Sequence, residues 1–152
     1  MINFKQATIE DIDVIYELSK DLIFKYEKQG NLDFILKWMY TKIKNHIEEY
    51  QVIYQNNVKV GYFRLFMQDE YKELDDFYIF EEFRNQGIGT EVLNRICKEP
   101  MQLYVFNENV KAIALYERVG FRIIKDLNNG RSIMRLEAKY GKNHYNINKL
   151  SR

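Results

Sequence analysis

The chain has few of the residues that interrupt or cross-link a fold. Its 152 residues include one proline, Pro100, one cysteine, Cys97, and seven glycines. A lone cysteine cannot form an internal disulfide, which fits a reducing compartment. No run reaches the ~18 apolar residues of a membrane helix, and the first residues lack the basic and apolar regions of a signal peptide. We therefore expect a cytoplasmic protein that does not associate with a membrane.

Neither sign of charge is in excess. The 23 Lys and Arg residues balance 22 Asp and Glu residues, and the formal net charge is +1. This balance argues against a nucleic-acid-binding protein, which usually carries a basic surface. Aromatic residues, by contrast, reach 15% of the chain, and they suit both strands and the wall of a pocket. The length of the chain favours a single folded domain.

Hydrophobic periodicity predicts elements in the order β, α, α, β, β, β, α, β, α, β, β. Strand patterns cover residues 2–7, 50–54, 58–67, 73–80, 101–106, 121–126 and 131–137. Helix patterns run from Thr8 to Gly30, from about Leu32 to Ile47, from the glycines near residue 88 to Glu99, and from Asn109 to Gly120. Thr8 and Asp11 also match a capping box, which marks a helix start.

The connections between these elements predict the fold class. The strand–helix–strand segment at 73–106 requires a crossover, so strand 4 and strand 5 should be parallel neighbours. The other strands can pair as hairpins, which gives an α/β fold with a single mixed, mostly antiparallel sheet and helices on both faces. The segment 138–152 has four Lys or Arg residues and no acid. It fits a loose basic extension, or an element packed on the domain or exchanged with a partner subunit.

The stretch RNQGIGT (84–90) places Gly87 and Gly89 between a strand and a helix. Unpaired amides and the helix dipole favour an anion there, and glycine lets a phosphate approach the backbone closely. The pattern is weak by itself, because it lacks the third glycine of a dinucleotide fingerprint and the Gly-Lys-Ser/Thr of a P-loop. A tight turn that requires positive φ remains the alternative.

Two longer motifs give this stretch a context. RNQGIG has the form Arg/Gln-x-x-Gly-x-Gly/Ala, which resembles the acetyl-CoA signature of the GNAT superfamily of N-acetyltransferases. NENVKAIALYERVGF (107–121) resembles the later motif Asn-x-x-Ala-x-x-x-Tyr-x-x-x-Gly-Phe of that superfamily. The segment before the glycines and the order of elements agree as well. The resemblance implies a GNAT acetyltransferase domain at 1–137, followed by the basic extension 138–152.

The resemblance also implies acetyl-CoA as co-substrate and no metal. Backbone amides of Gln86 through Thr90 would hold the pyrophosphate, Arg84 would support the loop or a phosphate, and the pantetheine arm would pair with strand 4. The implied cofactor-binding residues are Phe77, Tyr78, Ile79, Arg84, Gln86, Gly87, Ile88, Gly89, Thr90 and Asn109. Asn109 has a second interpretation, because asparagine also stabilises helix starts.

Acetylation of an amine needs a base and a proton donor. An alkylammonium has a pKa of about 10, so a carboxylate has to take its proton, usually through water. Strand alternation puts Glu73 and Asp75 on one face and Asp76 on the other. Glu73 lies eleven residues before Arg84, a spacing that resembles the catalytic glutamate of the histone-acetylating branch of the superfamily. Glu73 is therefore the first candidate base and Asp75 the second. The same acids could be a solvated strand start, or could bind a cationic substrate. The resemblance implies that Tyr116 protonates the leaving thiolate, and a buried packing tyrosine is the alternative.

The acceptor is expected to meet the first helices. Phe24, Tyr26, Trp38 and Tyr40 are candidates by position, with core packing as the alternative, and Tyr26, Trp38 and Asp76 are the predicted substrate contacts. We expect an enzyme that acetylates a primary amine of a small molecule or peptide. A CoA-binding regulatory domain without turnover is the competing hypothesis, and a homodimer is a further expectation because dimers are common among relatives.

Overall fold

The computed structural model describes residues 1–137, so the predicted extension 138–152 lies outside the described residues. Within 1–137 the helices are α1 (Ile12–Tyr26), α2 (Leu32–Asn45), α3 (Ile88–Ile96) and α4 (Val110–Arg118). The strands are β1 (Ile2–Gln6), β2 (Tyr50–Gln55), β3 (Val58–Gln68), β4 (Tyr71–Ile79), β5 (Met101–Phe106), β6 (Arg122–Asp126) and β7 (Arg131–Leu136). The predicted order of elements is confirmed.

The seven strands form one sheet in the order β1-β2-β3-β4-β5-β7-β6. The β4–β5 pair is parallel, and the other neighbouring pairs are antiparallel, as predicted. The parallel pair is short, since only Lys72 pairs with Met101 and Glu73 with Gln102. Beyond Glu73 the two strands have no paired residues, and this leaves one edge of β4 free in the middle of the sheet.

Helices cover both faces of the sheet, which confirms the predicted layers. On one face, α3 and α4 bury Val92, Leu93 and Tyr116 against β4, β5 and β7. On the other face, α1 and α2 bury Ile15 and Ile43 against β2 and β3. Each core is built by alternate residues of the same strands, because successive side chains point to opposite faces.

The predicted capping box is present and begins a short 3-10 turn before α1. The backbone N–H of Thr8 donates to Asp11 Oδ2 at 2.9 Å, and the N–H of Glu10 donates to Thr8 Oγ1 at 3.3 Å. Helix α1 ends at Tyr26, earlier than predicted, where the Glu27 carboxylate accepts the N–H of Gly30 at 2.9 Å. Of the helices within 1–137, none has the length and apolar character needed to cross a bilayer.

A β-bulge interrupts the pairing of β3 with β4. Tyr62 pairs with Tyr78 and Arg64 pairs with Asp75, so one residue of β3 faces both Asp76 and Phe77. Asp76 has a φ of 48°, in the left-handed region that non-glycine residues seldom adopt. The extra residue resets the alternation of side chains along the second half of β4.

Candidate active site

A cavity of about 1750 Å³ is lined by the diverging ends of β4 and β5 and by helices from both faces of the sheet. On the α3–α4 side its wall includes Gly87 and Tyr116. On the α1–α2 side it includes Trp38 and Lys42. The gap in the sheet therefore brings together the two groups of residues that the sequence assigned to cofactor and acceptor.

The glycine loop presents unpaired amides at the start of α3. Gly87 is the N-cap and has a φ of 81°, and Asn85 also has positive φ, at 62°. Within residues 1–137, no hydrogen-bond acceptor faces the backbone N–H groups of residues 85–90. Six consecutive free N–H groups at a helix N-terminus make a site for an anion such as a phosphate. The two interpretations of the glycines, an anion site and a tight turn with positive φ, are thus compatible, because the turn forms the anion site.

Glycine suits the two positions for different structural reasons. A Cβ on Gly87 would have no atom within 4 Å, so this residue faces open space. A Cβ on Gly89 would lie 3.3 Å from Leu115 Cδ2 and 3.8 Å from Phe77 Cζ. Gly89 therefore allows α3 to pack closely against α4 and β4, and Gly87 is the glycine whose free side adjoins the cavity.

Three predicted side chains stabilise the ends of the loop and of α4. Arg84 Nε donates to the Ile79 carbonyl at 2.8 Å, which fastens the loop to the end of β4. Gln86 Nε2 donates to the Glu82 carbonyl at 3.3 Å. Asn109 Oδ1 accepts the N–H of Ala112 at 3.2 Å and caps α4, in agreement with the helix-start interpretation.

Tyr116 lies in an apolar part of the cavity wall. Its ring centroid is 6.4 Å from that of Phe77 and 5.7 Å from that of Phe121, and the residue is 9% exposed. Burial raises the pKa of its hydroxyl far above the ordinary value, and the neighbouring Cys97 and Asp75 act in the same direction. The hydroxyl is therefore protonated at neutral pH and can serve as a proton donor.

Asp75 is held between two cations. Lys42 Nζ lies 3.0 Å and Arg64 Nη1 2.9 Å from its Oδ2. Burial raises the pKa of Asp75, but the charges and hydrogen bonds of Lys42 and Arg64 outweigh that effect and hold the pKa below its usual value. Asp75 thus stays a paired carboxylate, which makes it a weak base.

Asp76 lies on the same face as Asp75, so the predicted alternation is wrong here. Its Oδ2 accepts Lys42 Nζ at 2.9 Å and the hydroxyl of Tyr50, and its Oδ1 accepts the hydroxyl of Tyr78 at 3.0 Å. The bulge is the cause, because the extra residue keeps Asp76 on the α2 side and turns Phe77 toward Tyr116. Protein donors occupy both oxygens of a side chain that the sequence assigned to substrate.

Glu73 differs from the two aspartates because it has no ion pair within residues 1–137. Burial raises the pKa of Glu73, and the negative charge of Asp75 raises it further. The Gln102 amide and the charges of Arg64 and Lys42 oppose this rise. A carboxyl with a raised pKa and no cation bound is the best base among the three acids.

The aromatic candidates divide into two pairs. Trp38 is 57% exposed and lines the cavity, and Lys42 Nζ lies 5.7 Å from its ring centroid. Tyr26 also lines the cavity, and its ring stacks on that of Phe106 with the centroids 5.6 Å apart. Phe24 and Tyr40 are absent from the lining, and Tyr40 packs on another tyrosine of α1. Of these four aromatic residues, the two predicted as substrate contacts, Tyr26 and Trp38, are the two that line the cavity.

Sequence reasoning missed Lys42, Arg64 and Gln102. Lys42 follows Trp38 by four residues, so helical spacing could have placed them side by side. Arg64 lies among apolar residues of β3, where a buried arginine signals a paired acid nearby. Gln102 gave no such signal, because its position depends on how β5 pairs with β4.

Two features together define an acetyltransferase domain. The sheet is open between two parallel strands, and within residues 1–137 the loop at the opening has backbone amides without acceptors. The family model described as Acetyltransferase (GNAT) family matches residues 12–121. The chain belongs to the GNAT family of acetyltransferases, and the resemblance read from its motifs is confirmed.

Two curated proteins illustrate the relationship. The spermine/spermidine N(1)-acetyltransferase of Bacillus subtilis is 33% identical over 70 residues, which cover 40% of this chain and 46% of that protein. The match thus spans less than half the length of that relative. The acetyltransferase PseH of Campylobacter jejuni is 24% identical over 139 residues, 80% of this chain and 83% of PseH.

Solved structures share the fold. A GNAT-family acetyltransferase from Staphylococcus aureus superposes with a TM-score of 0.70 at 17% identity, covering 91% of this chain and 100% of that one. The PaiA N-acetyltransferase from Thermoplasma acidophilum, solved in complex with coenzyme A, gives a TM-score of 0.66 at 18% identity, with coverages of 90% and 99%.

Proposed function

We propose that the protein transfers an acetyl group from acetyl-CoA to a primary amine of a small molecule or peptide. One observation carries the proposal. Within residues 1–137, the six backbone amides of residues 85–90 have no acceptor, and they adjoin a cavity that also holds a buried tyrosine, Tyr116, and a carboxyl without an ion pair, Glu73. An anion site, a proton donor and a base around one space are the parts that this reaction needs.

The cofactor would bind along the opening of the sheet. Its pyrophosphate would accept hydrogen bonds from the amides of residues 85–90, and Arg84 would keep the loop in place. The pantetheine arm would pair with the free edge of β4 at Phe77–Ile79, which β5 does not cover. Coenzyme A in the related PaiA structure supports this assignment.

The chemistry follows from the site residues. Glu73, through a water molecule, would take a proton from the ammonium, and the amine nitrogen would attack the thioester carbonyl carbon. As the tetrahedral intermediate collapses, the C–S bond would break and the thiolate would take the Tyr116 proton. The nitrogen would release its second proton to water, and Tyr116 would regain its proton from water. A backbone N–H of β4 would stabilise the developing oxyanion. The products are an N-acetyl amine and coenzyme A.

Two features bear on the acceptor. Trp38 and Tyr26 would contact an amine with an apolar body, by stacking or cation–π interaction. Asp13, Glu17 and Asp21 follow one another at intervals of four on α1, and all three line the cavity. This acidic row and the B. subtilis relative favour a polyamine as a second candidate acceptor.

The cytoplasmic location and the homodimer expected from the sequence remain predictions.

A thiol-release assay tests the proposal. The protein is mixed with acetyl-CoA and a panel containing spermidine, spermine, aromatic monoamines and peptides with a free N-terminus. We expect release of CoA thiol with at least one amine and an N-acetyl product by mass spectrometry. Binding of acetyl-CoA without release on any amine of the panel would favour a regulatory CoA-binding domain instead.

A further inference from the structure

Three polar side chains form a row across the sheet where β4 and β5 begin to diverge. Glu73 on β4 is paired with Gln102 on β5, and Gln102 is paired with Arg135 on β7. Residues directly opposite each other project to the same face of a sheet. The row therefore joins the candidate base to a buried amide and then to a guanidinium.

The hydrogen bond from Arg135 determines which way the Gln102 amide points. Arg135 Nη2 donates to Gln102 Oε1 at 3.1 Å. A guanidinium has donors only, so the carboxamide oxygen has to face Arg135. The Nε2 group is then turned away from Arg135 and is left for Glu73, the residue paired with Gln102 on β4, whose pKa the Gln102 amide lowers. Gln102 is 8% exposed, which leaves little room for the amide to rotate.

Arg135 is itself held in position. Its guanidinium carbon lies 4.1 Å from the ring centroid of Tyr71. Its Nε is buried and has no hydrogen-bond partner within residues 1–137. An unpaired buried donor destabilises a fold by about 1–3 kcal/mol. The contact with Tyr71 and the hydrogen bond to Gln102 are the interactions that offset this cost.

We propose that Arg135 and Gln102 are positioning residues that direct an amide N–H at the Glu73 carboxylate. Held at one oxygen, the carboxylate would present its other oxygen to the water and the amine. The inference rests on the proposed function for the role of Glu73, but the orientation of Gln102 can be tested without turnover. Burial and Asp75 raise the pKa of Glu73 and the Gln102 amide opposes them, so loss of this amide should make Glu73 protonate at higher pH.

NMR titration of the wild-type protein gives the first test. The side-chain NH₂ resonances of Gln102 should shift with the same midpoint as the Glu73 carboxyl carbon. The Glu73 signal is identified by its loss in Glu73→Gln, and the Gln102 signal by its loss in Gln102→Leu. Separate midpoints, or Gln102 resonances that do not shift with pH, would overturn the proposal.

Variants give the second test. Gln102→Leu and Arg135→Met should move the Glu73 midpoint to higher pH. They should also lower kcat about tenfold or more below the wild-type midpoint, with near wild-type rates only above the variant's own midpoint, since a hydrogen bond to a charged group contributes roughly 1.5–3 kcal/mol. Arg135→Met is the milder change, because Arg135 is only half-buried and lies away from the divergence.

Arg122→Met is the matched control. Arg122 is paired with Arg135 across β6 and β7, and it donates to the carbonyls of Glu117 and Phe121. Its replacement removes the same charge from the neighbouring strand and leaves Gln102 untouched. We expect an unchanged Glu73 midpoint, and a shift equal to that of Arg135→Met would refute orientation by hydrogen bonding. A shifted midpoint with an unshifted kcat profile would support the orientation and disprove Glu73 as the base.

Discussion

Three acids within four residues of β4 acquire different properties from their immediate contacts. Lys42 and Arg64 keep Asp75 ionised, and Asp76 accepts hydrogen bonds from protein donors. Glu73 has a raised pKa and no ion pair within the described part of the chain, residues 1–137. The family resemblance placed Glu73 ahead of Asp75, but the residues alone did not predict these different electrostatic properties. The ranking depends on cations from α2 and β3 that are distant along the chain.

Tyr116→Phe should reduce kcat about a hundredfold or more, because the thiolate would leave without a positioned proton donor. The affinity for CoA, measured by calorimetry, should stay the same, since the ring remains packed against Phe77 and Phe121. Tyr104→Phe removes a hydroxyl from another part of the same cavity and serves as the control. Wild-type turnover in Tyr116→Phe would contradict the donor role.

At the scale of the element, periodicity predicted each strand and helix within a few residues, but it did not predict the bulge in β4. Strict alternation assigns Asp76 to the face opposite Asp75, and the register shift opposite Tyr62 and Arg64 overturns that assignment. A bulge leaves little trace in a sequence, because its extra residue is recognisable only against the paired strand. Here the extra residue is an aspartate at a φ of 48°, whose carboxylate accepts hydrogen bonds from Lys42, Tyr50 and Tyr78.

The contribution of the Asp76 carboxylate to the bulge can be measured from the free energy of unfolding. Asp76→Ala leaves Lys42 and two tyrosine hydroxyls without their shared acceptor, so we expect a loss of about 3 kcal/mol or more in the free energy of unfolding. Asp69→Ala is the matched control, because Asp69 also has positive φ, at 56°, but is exposed in the β3–β4 turn. Equal losses in urea unfolding would show that backbone strain alone accounts for the effect.

The start of α3 allows an equally controlled test of the phosphate site. Gly87→Glu should weaken CoA binding about tenfold or more, because it places a negative charge beside the amides of residues 85–90. Gly130→Glu carries the same backbone strain, since the two glycines have φ values of 81° and 87° and neither Cβ would meet an atom within 4 Å. Similar CoA affinities for the two variants would refute the site. Gly89 suits this test less well, because a Cβ there would lie 3.3 Å from Leu115 Cδ2, a tight contact that could also disturb the packing of α3.

For the whole molecule, the sequence sufficed to predict the layers, the parallel pair and the family. These follow from the order of elements and from two motifs that lie close to the cofactor side. The acceptor side was harder to predict, because Lys42, Arg64 and Gln102 meet only through the pairing of distant strands. The identity of the acceptor depends on that side.

The predicted domain boundary can be tested by truncation. The seven strands described above and the core residues on both faces of the sheet all lie within residues 1–137. A chain ending at residue 137 should therefore unfold cooperatively at a temperature within about 4 °C of the full chain, a shift equivalent to about 1 kcal/mol or less. A larger loss, measured by calorimetry at equal concentration, would place the extension within the domain.

The divergence of β4 and β5 has a kinetic consequence. A gap that is open toward both layers of helices gives each ligand its own way in, so neither has to leave before the other enters. The nucleophile can then meet the thioester directly, and no acetylated protein has to form. Double-reciprocal plots of initial rate against acetyl-CoA concentration, at several fixed amine concentrations, should give intersecting rather than parallel lines. Free coenzyme A should compete with acetyl-CoA but not with the amine.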